Sequence, residues 1–256
     1  MAVKGERVGL YLSGQPVQVK SCNIAITQPK IKDIVVFGED EFLIACNIVG
    51  HTDNITSQMR EGNSQLNAFS DFQILLVVLK EEENIRRSIL KFLNLICPDY
   101  EIQIKDASID FLITDEEQTF TVGQIQPFNF EDFQQVVNDL FEPKTGDDEP
   151  DYNPANEKAA EIAEKIKRGR ARKNQMLNDK EGEQSLFGRY CSILSIGMSL
   201  SIWDLYEYTP FQLYDAFARY FAKVSSDVYT RVSTMPLMDV SKIDAPEEWV
   251  RNLYRK

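Results

Sequence analysis

Histidine is almost missing from this sequence, which has one, His51, among 256 residues. Histidine is the usual general base of nucleophilic catalysis and the commonest protein ligand of transition metals. His51 lies in a polar stretch and has no acidic or thiol side chain at a meaningful spacing. The sequence therefore nearly excludes histidine-dependent catalytic triads and histidine-rich metal sites.

The sequence motifs of other catalytic and binding sites are missing as well. Neither of the glycine-rich phosphate-binding loops occurs, and the Gly-x-Ser-x-Gly turn of a nucleophile elbow is absent. No run of about eighteen apolar residues is present, so no membrane span is predicted, and residues 1–10 have no signal-peptide core. The acidic residues at 147–151 lack the spacing and glycine of a calcium loop, and those at 81–83 are interpreted as a charged step between helices. We predict no catalytic residue, no metal and no cofactor.

The four cysteines are scattered without the short spacings of zinc ligands. Cys22, Cys46 and Cys191 sit in apolar surroundings, and Cys97 precedes a proline. This usage predicts buried free thiols in a reducing cytosol, and neither a disulfide framework nor a zinc site.

Positive charge is outnumbered, since 28 Lys and Arg stand against 40 Asp and Glu and the formal net charge is −12. Residues 1–150 have 12 Lys and Arg against 25 Asp and Glu, whereas residues 151–256 have 16 against 15, so the net charges are −13 and +1. The overall balance argues against general nucleic-acid binding. The difference in net charge between the two halves indicates two different modules.

Residues 1–142 predict an α+β domain with short antiparallel strands. The predicted elements are one or two strands within residues 8–28 around Ser13–Gly14, helices over 31–37 and 39–49, a polar surface loop over 51–67, a helix in two pieces over 69–96, strands over 101–104, 108–114 and 119–122, and a helix over 129–141 with Asn129 as its cap.

Residues 143–154 contain three prolines, a glycine and four acids, which predicts an acidic linker. Residues 155–256 predict a helical domain, so the whole chain is expected to be α+β and mainly helical. Within it, 155–177 predicts a charged helix, and a last short helix is predicted from Asp244. The charged helix carries a basic cluster that either is solvated, pairs with the acidic half, or contacts an acidic partner or nucleic acid: Arg168, Arg170, Arg172 and Lys173.

The densest aromatic segment spans residues 201–220. Thr209 and Pro210 divide it, because Thr caps a helix, Pro suits the first helical position and Gln212 completes a capping box. We expect a short helix from Ile202 and a longer one from Thr209 to about Val232. The aromatic side chains either form the core of a helical domain or stay partly open as a groove for a partner helix. They are Trp203, Tyr206, Tyr208, Phe211, Tyr214, Phe217 and Tyr220.

These aromatic residues are expected to differ in their roles. Replacing Trp203 or Phe217 by Ala is predicted to destabilise the fold by roughly 3–5 kcal/mol if the side chain is fully buried. Tyr208 and Tyr220 are the expected partner-facing residues, because phenol groups suit half-wet interfaces.

Several short segments resemble the tail assembly chaperones of long-tailed, siphovirus-like bacteriophages of Gram-positive hosts. The order of the segments is more specific than any one of them, and residues 50–125 remain outside the resemblance. The segments are residues 28–34 (Gln-Pro-Lys-Ile-Lys-Asp-Ile), 37–42 (Phe-Gly-Glu-Asp-Glu-Phe), 152–154 (Tyr-Asn-Pro) before the charged helix, 193–197 (Ile-Leu-Ser-Ile-Gly), 203–205 (Trp-Asp-Leu), Thr209, 212–215 (Gln-Leu-Tyr-Asp), Phe217 and 219–220 (Arg-Tyr).

The resemblance implies a mostly helical, non-enzymatic protein of the host bacterial cytoplasm. Such a chaperone binds the tape-measure protein and recruits tail-tube subunits before the tail polymerises; homo-oligomerisation and a frameshifted longer form stay open. The strands predicted within 8–28 and 101–122 depart from an all-helical chaperone and could mark a part that binds tail subunits. Two alternatives remain: a structural virion protein of the tail, baseplate or neck, and a nucleic-acid-binding regulator that uses residues 168–173.

Overall fold

The computed structural model describes residues 5–115, 118–142 and 185–234. Two small antiparallel sheets lie among helices, which confirms the predicted α+β, mainly helical class. The strands are β1 (Val17–Val19), β2 (Ile24–Ile26), β3 (Glu101–Ile104), β4 (Ile109–Asp115) and β5 (Gln118–Ile125). The helices are α1 (Gly5–Leu12), α2 (Ile31–Phe37), α3 (Glu39–Gly50), α4 (Thr52–Gly62), a 3-10 turn (Ser64–Ala68), α5 (Asp71–Glu81), α6 (Glu83–Ile96), α7 (Phe130–Phe141), α8 (Leu186–Met198), α9 (Ile202–Tyr206) and α10 (Pro210–Ser233).

Three predicted features lie outside the described residues. They are the linker at 143–154, the charged helix at 155–177 with Arg168, Arg170, Arg172 and Lys173, and the short helix from Asp244.

The helix predicted in two pieces over residues 69–96 is confirmed as α5 and α6, divided at Glu82. Ser70 caps α5: its hydroxyl accepts the Gln73 N–H at 3.3 Å, and the Gln73 side chain accepts the Ser70 N–H at 2.9 Å. The capping box formed by Ser70 and Gln73 therefore sets the start of α5.

The prediction of strand immediately before Ser13 is wrong, because Gly5–Leu12 is helix α1. Val8 and Tyr11, three residues apart, point into the core, and the Tyr11 hydroxyl donates to Asp139 Oδ2 at 3.2 Å. Eight residues hold too few apolar side chains to separate a helical period from loose alternation. The strands predicted after Ser13 are present as the antiparallel pair β1–β2.

The prediction of a surface loop over residues 51–67 is also wrong, because α4 and the 3-10 turn occupy it. Its inner face is polar: Thr52 and Thr56 are buried, and their hydroxyls donate to Ile48 O at 2.7 Å and Asp71 Oδ1 at 2.5 Å. Arg60 Nη1 lies 2.7 Å from the same Asp71 oxygen. A helix whose buried side chains are threonines has no hydrophobic period to detect.

The predicted hairpin is confirmed, with β4 pairing antiparallel to both β3 and β5. Helix α7 follows it, and Asn129 precedes the helix as expected but makes no side-chain cap. Its Oδ1 accepts the Gln126 N–H at 2.7 Å, and its Nδ2 donates to Ser21 O at 2.9 Å and Gln124 O at 3.0 Å. Asn129 thus joins the β1–β2 turn to the end of β5.

Gly123 lies where the turn between β1 and β2 crosses β5, and we expect Gly123→Ala to destabilise the protein by about 1–3 kcal/mol. A Cβ there would lie 2.7 Å from Cys22 O and 2.8 Å from Asn23 O, closer than real Cβ atoms approach backbone. Chemical denaturation measures the loss. Gly9→Ala is the control, because a Cβ at Gly9 meets nothing within 4 Å; equal stabilities of the two variants would contradict the prediction.

Phe42 of α3 is the centre of the aromatic core and is fully buried. Its ring centroid lies 6.2 Å from that of Phe37, 5.6 Å from those of Phe92 and Phe141, and 6.5 Å from that of Phe187. Phe187 belongs to α8, so described residues on both sides of the 143–184 segment share one hydrophobic core.

Candidate functional site

Helix α8 is fixed to α3 through its first turn. Ser185 caps α8 by accepting the Gly188 N–H at 2.8 Å, and its hydroxyl donates to Glu39 Oε2. Glu39 Oε1 also accepts the Phe187 N–H at 3.1 Å. A carboxylate at a helix N-terminus meets unpaired N–H groups and the positive end of the helix dipole, so Glu39 sets where α8 begins.

The junction between α9 and α10 is anchored to the N-terminal part of the chain. The predicted capping box is present: Thr209 Oγ1 accepts the Gln212 N–H at 3.4 Å, and Gln212 Oε1 accepts the Thr209 N–H at 2.9 Å. Gln212 Nε2 also donates to Leu12 O at 2.7 Å, and the Ile31 N–H donates to Tyr208 O at 2.8 Å. The cap predicted from local sequence is therefore also a tertiary contact.

Glu207 adds an ion-pair clamp between this junction and α2. Its two carboxylate oxygens lie 2.7 Å from Lys30 Nζ and 2.6 Å from Lys32 Nζ. Hydrogen bonds from Lys30 and then from Lys32 hold the pKa of Glu207 below its usual range. All three side chains are about half exposed, so the clamp orients α9 more than it stabilises the fold.

The seven aromatic residues of 201–220 divide between the core and the surface. Phe211 and Tyr214 are buried, with Phe211 5.3 Å from Tyr11 and Tyr214 6.0 Å from Phe187 between ring centroids. Four others are half-buried and packed against the core: Tyr206, Tyr208, Phe217 and Tyr220. Phe211 and Tyr214 therefore lie inside the fold, where no partner reaches them without unfolding.

Trp203 is 79 % exposed, so the expectation that it packs in the core is wrong. Leu205 is the buried residue of α9, and Trp203, two positions earlier, lies on the opposite side of the helix. Five apolar side chains of α8 and α9 are exposed, and we call them the α8–α9 surface: Ile193, Ile196, Met198, Ile202 and Trp203. Ile196 is 85 % exposed, which makes it and Trp203 the most open members.

A second exposed row lies on α10, and we call it the α10 stripe: Phe221, Val224 and Val228. Helices α8 and α10 run in the same direction, since Tyr190 packs on Phe217 at 4.4 Å and Gly197 lies against the Tyr220 ring. Helix α8 ends one residue later, at Met198. The rest of α10 extends past it, and no residue of α10 after Asp215 is buried.

No family model, curated protein or solved structure matches this chain. Within the described ranges no group of His, Cys, Asp and Glu could hold a metal ion, and no helix is long and apolar enough to cross a membrane. His51 Nε2 lies 3.2 Å from Glu142 Oε1 at an exposed position.

Sequence reasoning missed Ile196, Met198 and the exposure of Phe221. The apolar composition of residues 186–200 predicts a helix that buries against the aromatic segment, and the four-residue spacing of Phe217 and Phe221 predicts that both belong to one apolar stripe. The helix lengths give one indication of this exposure, because α8 is shorter than α10. In a parallel pair of helices, the last turns of the longer helix extend beyond the shorter one and do not pack on it. The direction of packing, however, follows only from the tertiary structure.

A shallow cleft of about 390 Å³ lies between the β1–β2 turn and β5. Backbone and amide groups line most of it, Phe128 is on its rim, and Cys22 is its only ionisable side chain. Burial raises the pKa of Cys22 to about 11, which makes it a poor nucleophile at neutral pH. The cleft offers no chemistry of its own.

All four cysteines should react slowly with a thiol reagent in the folded protein. Burial raises the pKa of the Cys22 and Cys191 thiols to about 11, that of Cys97 to about 12, and that of Cys46 well above its usual value. Because the thiolate is the reactive form, Ellman's reagent at about pH 8 should show no fast phase. Denatured protein is the control and should release four equivalents; a fast native phase contradicts the prediction.

Proposed function

We propose that this chain is a non-enzymatic tail assembly chaperone of a long-tailed bacteriophage. It binds the tape-measure protein in the host bacterial cytoplasm and recruits tail-tube subunits during tail morphogenesis. The α8–α9 surface is the observation that favours this role, together with the resemblance of residues 193–197, 203–205, 212–215, 217 and 219–220 to that family.

The α8–α9 surface suits a partner that presents apolar helices. Trp203 and Ile196 stand out from short helices whose positions are fixed by Glu39 and by the Glu207 clamp. Tryptophan is one of the residues enriched among the energetic anchors of protein interfaces, and an amphipathic helix docks through apolar side chains at three- and four-residue spacing. A tape measure contains long helical stretches of this kind, which aggregate unless they are covered.

The acidic N-terminal part has a separate role in this proposal. With a net charge of −13 over residues 1–150, it keeps a coated tape measure dispersed by repulsion between neighbouring copies. The β4–β5 hairpin, whose cross-strand pair Ile113 and Phe120 is 41 % and 51 % exposed, is the part assigned to the tail-tube subunits.

Co-expression of the tagged chain with the tape-measure protein of the same phage tests the proposal. We expect a soluble complex that is captured on the tag, and its loss with Ile196→Asp. Phe128→Asp is the matched control, because Phe128 is similarly open, at 79 % exposure against 85 % for Ile196, but lies beside β5. Failure of the unaltered chain to capture the tape measure would reject the assignment.

Mass spectrometry of purified virions separates the chaperone from the alternative of a structural tail, baseplate or neck protein. A chaperone leaves the assembled tail, so we expect the chain to be absent from virions. Its presence in stoichiometric amount would favour the structural role instead.

A further inference from the structure

The three-stranded sheet has one edge that is occupied and one that is open. At the β5 edge, the Gln124 N–H donates to Cys22 O at 3.0 Å, so the β1–β2 turn covers that edge. Asn23 of the same turn donates to Val122 O at 2.6 Å. At the opposite edge, β4 is the one strand that pairs with β3 in the described part of the chain. An open edge presents backbone N–H and C=O groups to any strand that aligns with them.

The register of the β3–β4 pair decides which backbone groups of β3 face outward. The Lys105 N–H donates to Ser108 O at 2.8 Å across this pair. Because hydrogen-bonded and non-hydrogen-bonded positions alternate in an antiparallel pair, Gln103 also bonds to β4, whereas Ile102 and Ile104 point their N–H and C=O groups away from it. Within the described residues, no hydrogen bond is made to those outward groups.

The side chains of this edge alternate between two faces of the sheet. Ile102 and Ile104 are half-buried and pack against the hydrophobic core. On the other face, Glu101, Gln103 and Lys105 are exposed. The edge therefore has an acid and a base at equal distances on either side of a central glutamine, with an isoleucine between each charge and that glutamine.

A second copy of this edge is complementary to the first when the two run antiparallel with Gln103 at the centre. Ile102 then faces the partner's Ile104 as a pair that exchanges both backbone hydrogen bonds. On the exposed face, Glu101 lies opposite the partner's Lys105, at the Cβ spacing of about 5 Å at which opposite charges attract. Moving the centre by one residue in either direction places a charge opposite the glutamine, and parallel in-register pairing places like charges together.

Charge selects this orientation from the others. Residues 1–150 carry a net charge of −13, so two copies repel each other in most orientations. At the β3 edge the Lys105 ammonium pairs with Asp110, whose side chain is fully buried, while the Lys105 side chain is itself 48 % exposed. An ammonium has three N–H donors, so it can bind the partner's Glu101 without leaving Asp110.

We propose that two copies of this chain associate through β3, in antiparallel register about Gln103, so that their three-stranded sheets join into one continuous sheet. The interface is isologous, and each contact therefore occurs twice about the two-fold axis. It uses neither the α8–α9 surface nor the exposed end of the β4–β5 hairpin, because β3 pairs with β4 only as far as Leu112. The inference does not depend on the proposed function.

The Gln103→Cys variant tests the register, because residue 103 faces itself across the two-fold axis. Diamide, which takes up the two thiol hydrogens, should join two such chains by a disulfide, seen as a band of twice the chain mass on non-reducing electrophoresis. Glu101→Cys is the matched control on the same exposed face: its two copies lie about 13 Å apart along the strands, too far for a disulfide. The unaltered chain controls for the native thiols. Equal cross-linking of both variants, or of neither, overturns the proposal.

Sedimentation velocity over a range of concentrations measures the association itself. We expect a dimer of the unaltered chain, and a Kd raised at least about tenfold in Glu101→Lys, because both opposite-charge pairs become like-charge pairs. Ile104→Pro should abolish the dimer, since proline removes an outward N–H that β4 does not use. Glu61→Lys is the matched control, with the same charge change at an exposed position of α4, and should dimerise like the unaltered chain.

Circular dichroism should show that each variant is folded, which separates loss of the interface from loss of the fold. A chain that stays monomeric at every concentration up to its solubility limit overturns the proposal. So does a dimer that persists unchanged in folded Glu101→Lys and Ile104→Pro proteins, because its interface then lies elsewhere. Capture of the tape-measure protein is a separate measurement, so the dimer and the proposed function fail independently.

Discussion

Replacing Phe42 by alanine should lower the free energy of unfolding by about 3–5 kcal/mol, the largest loss expected from one substitution in the described core. The side chain is fully buried and is in ring contact with Phe37, Phe92, Phe141 and Phe187. These four rings come from different parts of the chain, so they cannot all move inward to fill the space that alanine leaves. The cost therefore includes both the lost burial and the remaining cavity.

Urea unfolding followed by far- and near-ultraviolet circular dichroism measures this loss. Phe128→Ala is the control and should change stability by no more than about 0.5 kcal/mol, because Phe128 is 79 % exposed. A loss of less than about 1 kcal/mol for Phe42→Ala would contradict the central position of this ring.

The same experiment bears on domain organisation. The sequence predicts separate domains over residues 1–142 and 155–256, whereas Phe187 of α8 packs on Phe42 of α3. A shared core should unfold in one cooperative transition, with both dichroism signals changing together. Two separated transitions would instead indicate domains that fold independently.

Where local residues terminate an element, the sequence was sufficient to predict it. The Thr209–Gln212 pair is predicted as a capping box, and the box is formed. The apolar runs of α5 and α6 and the alternation of β3 and β4 likewise predicted their types. These signals act over a few residues and depend little on the rest of the fold.

Elements whose burial depends on distant partners were not predictable in the same way. Helix α4 packs through Thr52 and Thr56, and the Thr56 hydroxyl reaches Asp71, fifteen residues along the chain, only in the folded protein. Helix α1 is short, and Tyr11 is buried because its hydroxyl donates to Asp139 and its ring packs on Phe211. Hydrophobic periodicity contains no information on such contacts.

The candidate site likewise combines elements that local sequence predicts with side-chain positions that depend on tertiary contacts. The sequence placed α9 and α10 correctly, but α9 has five residues, which is too short for periodicity to decide which side faces inward. Leu205 takes the core position and leaves Trp203 outside. Likewise Phe217 and Phe221 have the same residue type and similar helical phase, yet Phe217 meets Tyr190 and Phe221 lies beyond the end of α8.

Trp203→Ala should leave stability unchanged within about 0.5 kcal/mol and weaken binding of the tape-measure protein by at least about 2 kcal/mol, roughly 30-fold in Kd. A side chain that is 79 % exposed contributes little to the folded monomer. In the proposed complex the same indole becomes buried, and its removal loses most of an anchor's contact area. Thermal unfolding and titration of the purified complex measure the two effects.

Two controls make the result specific to Trp203. Phe217→Ala should lower the melting temperature, because Phe217 packs on Tyr190 at 4.4 Å. Phe128→Ala removes an aromatic ring of equal exposure elsewhere and should alter neither stability nor binding. Loss of stability in Trp203→Ala would mean that the indole is packed within the monomer. Unchanged binding in a stable Trp203→Ala protein would remove the α8–α9 surface from the partner interface, because no other exposed aromatic side chain of that surface could replace the indole.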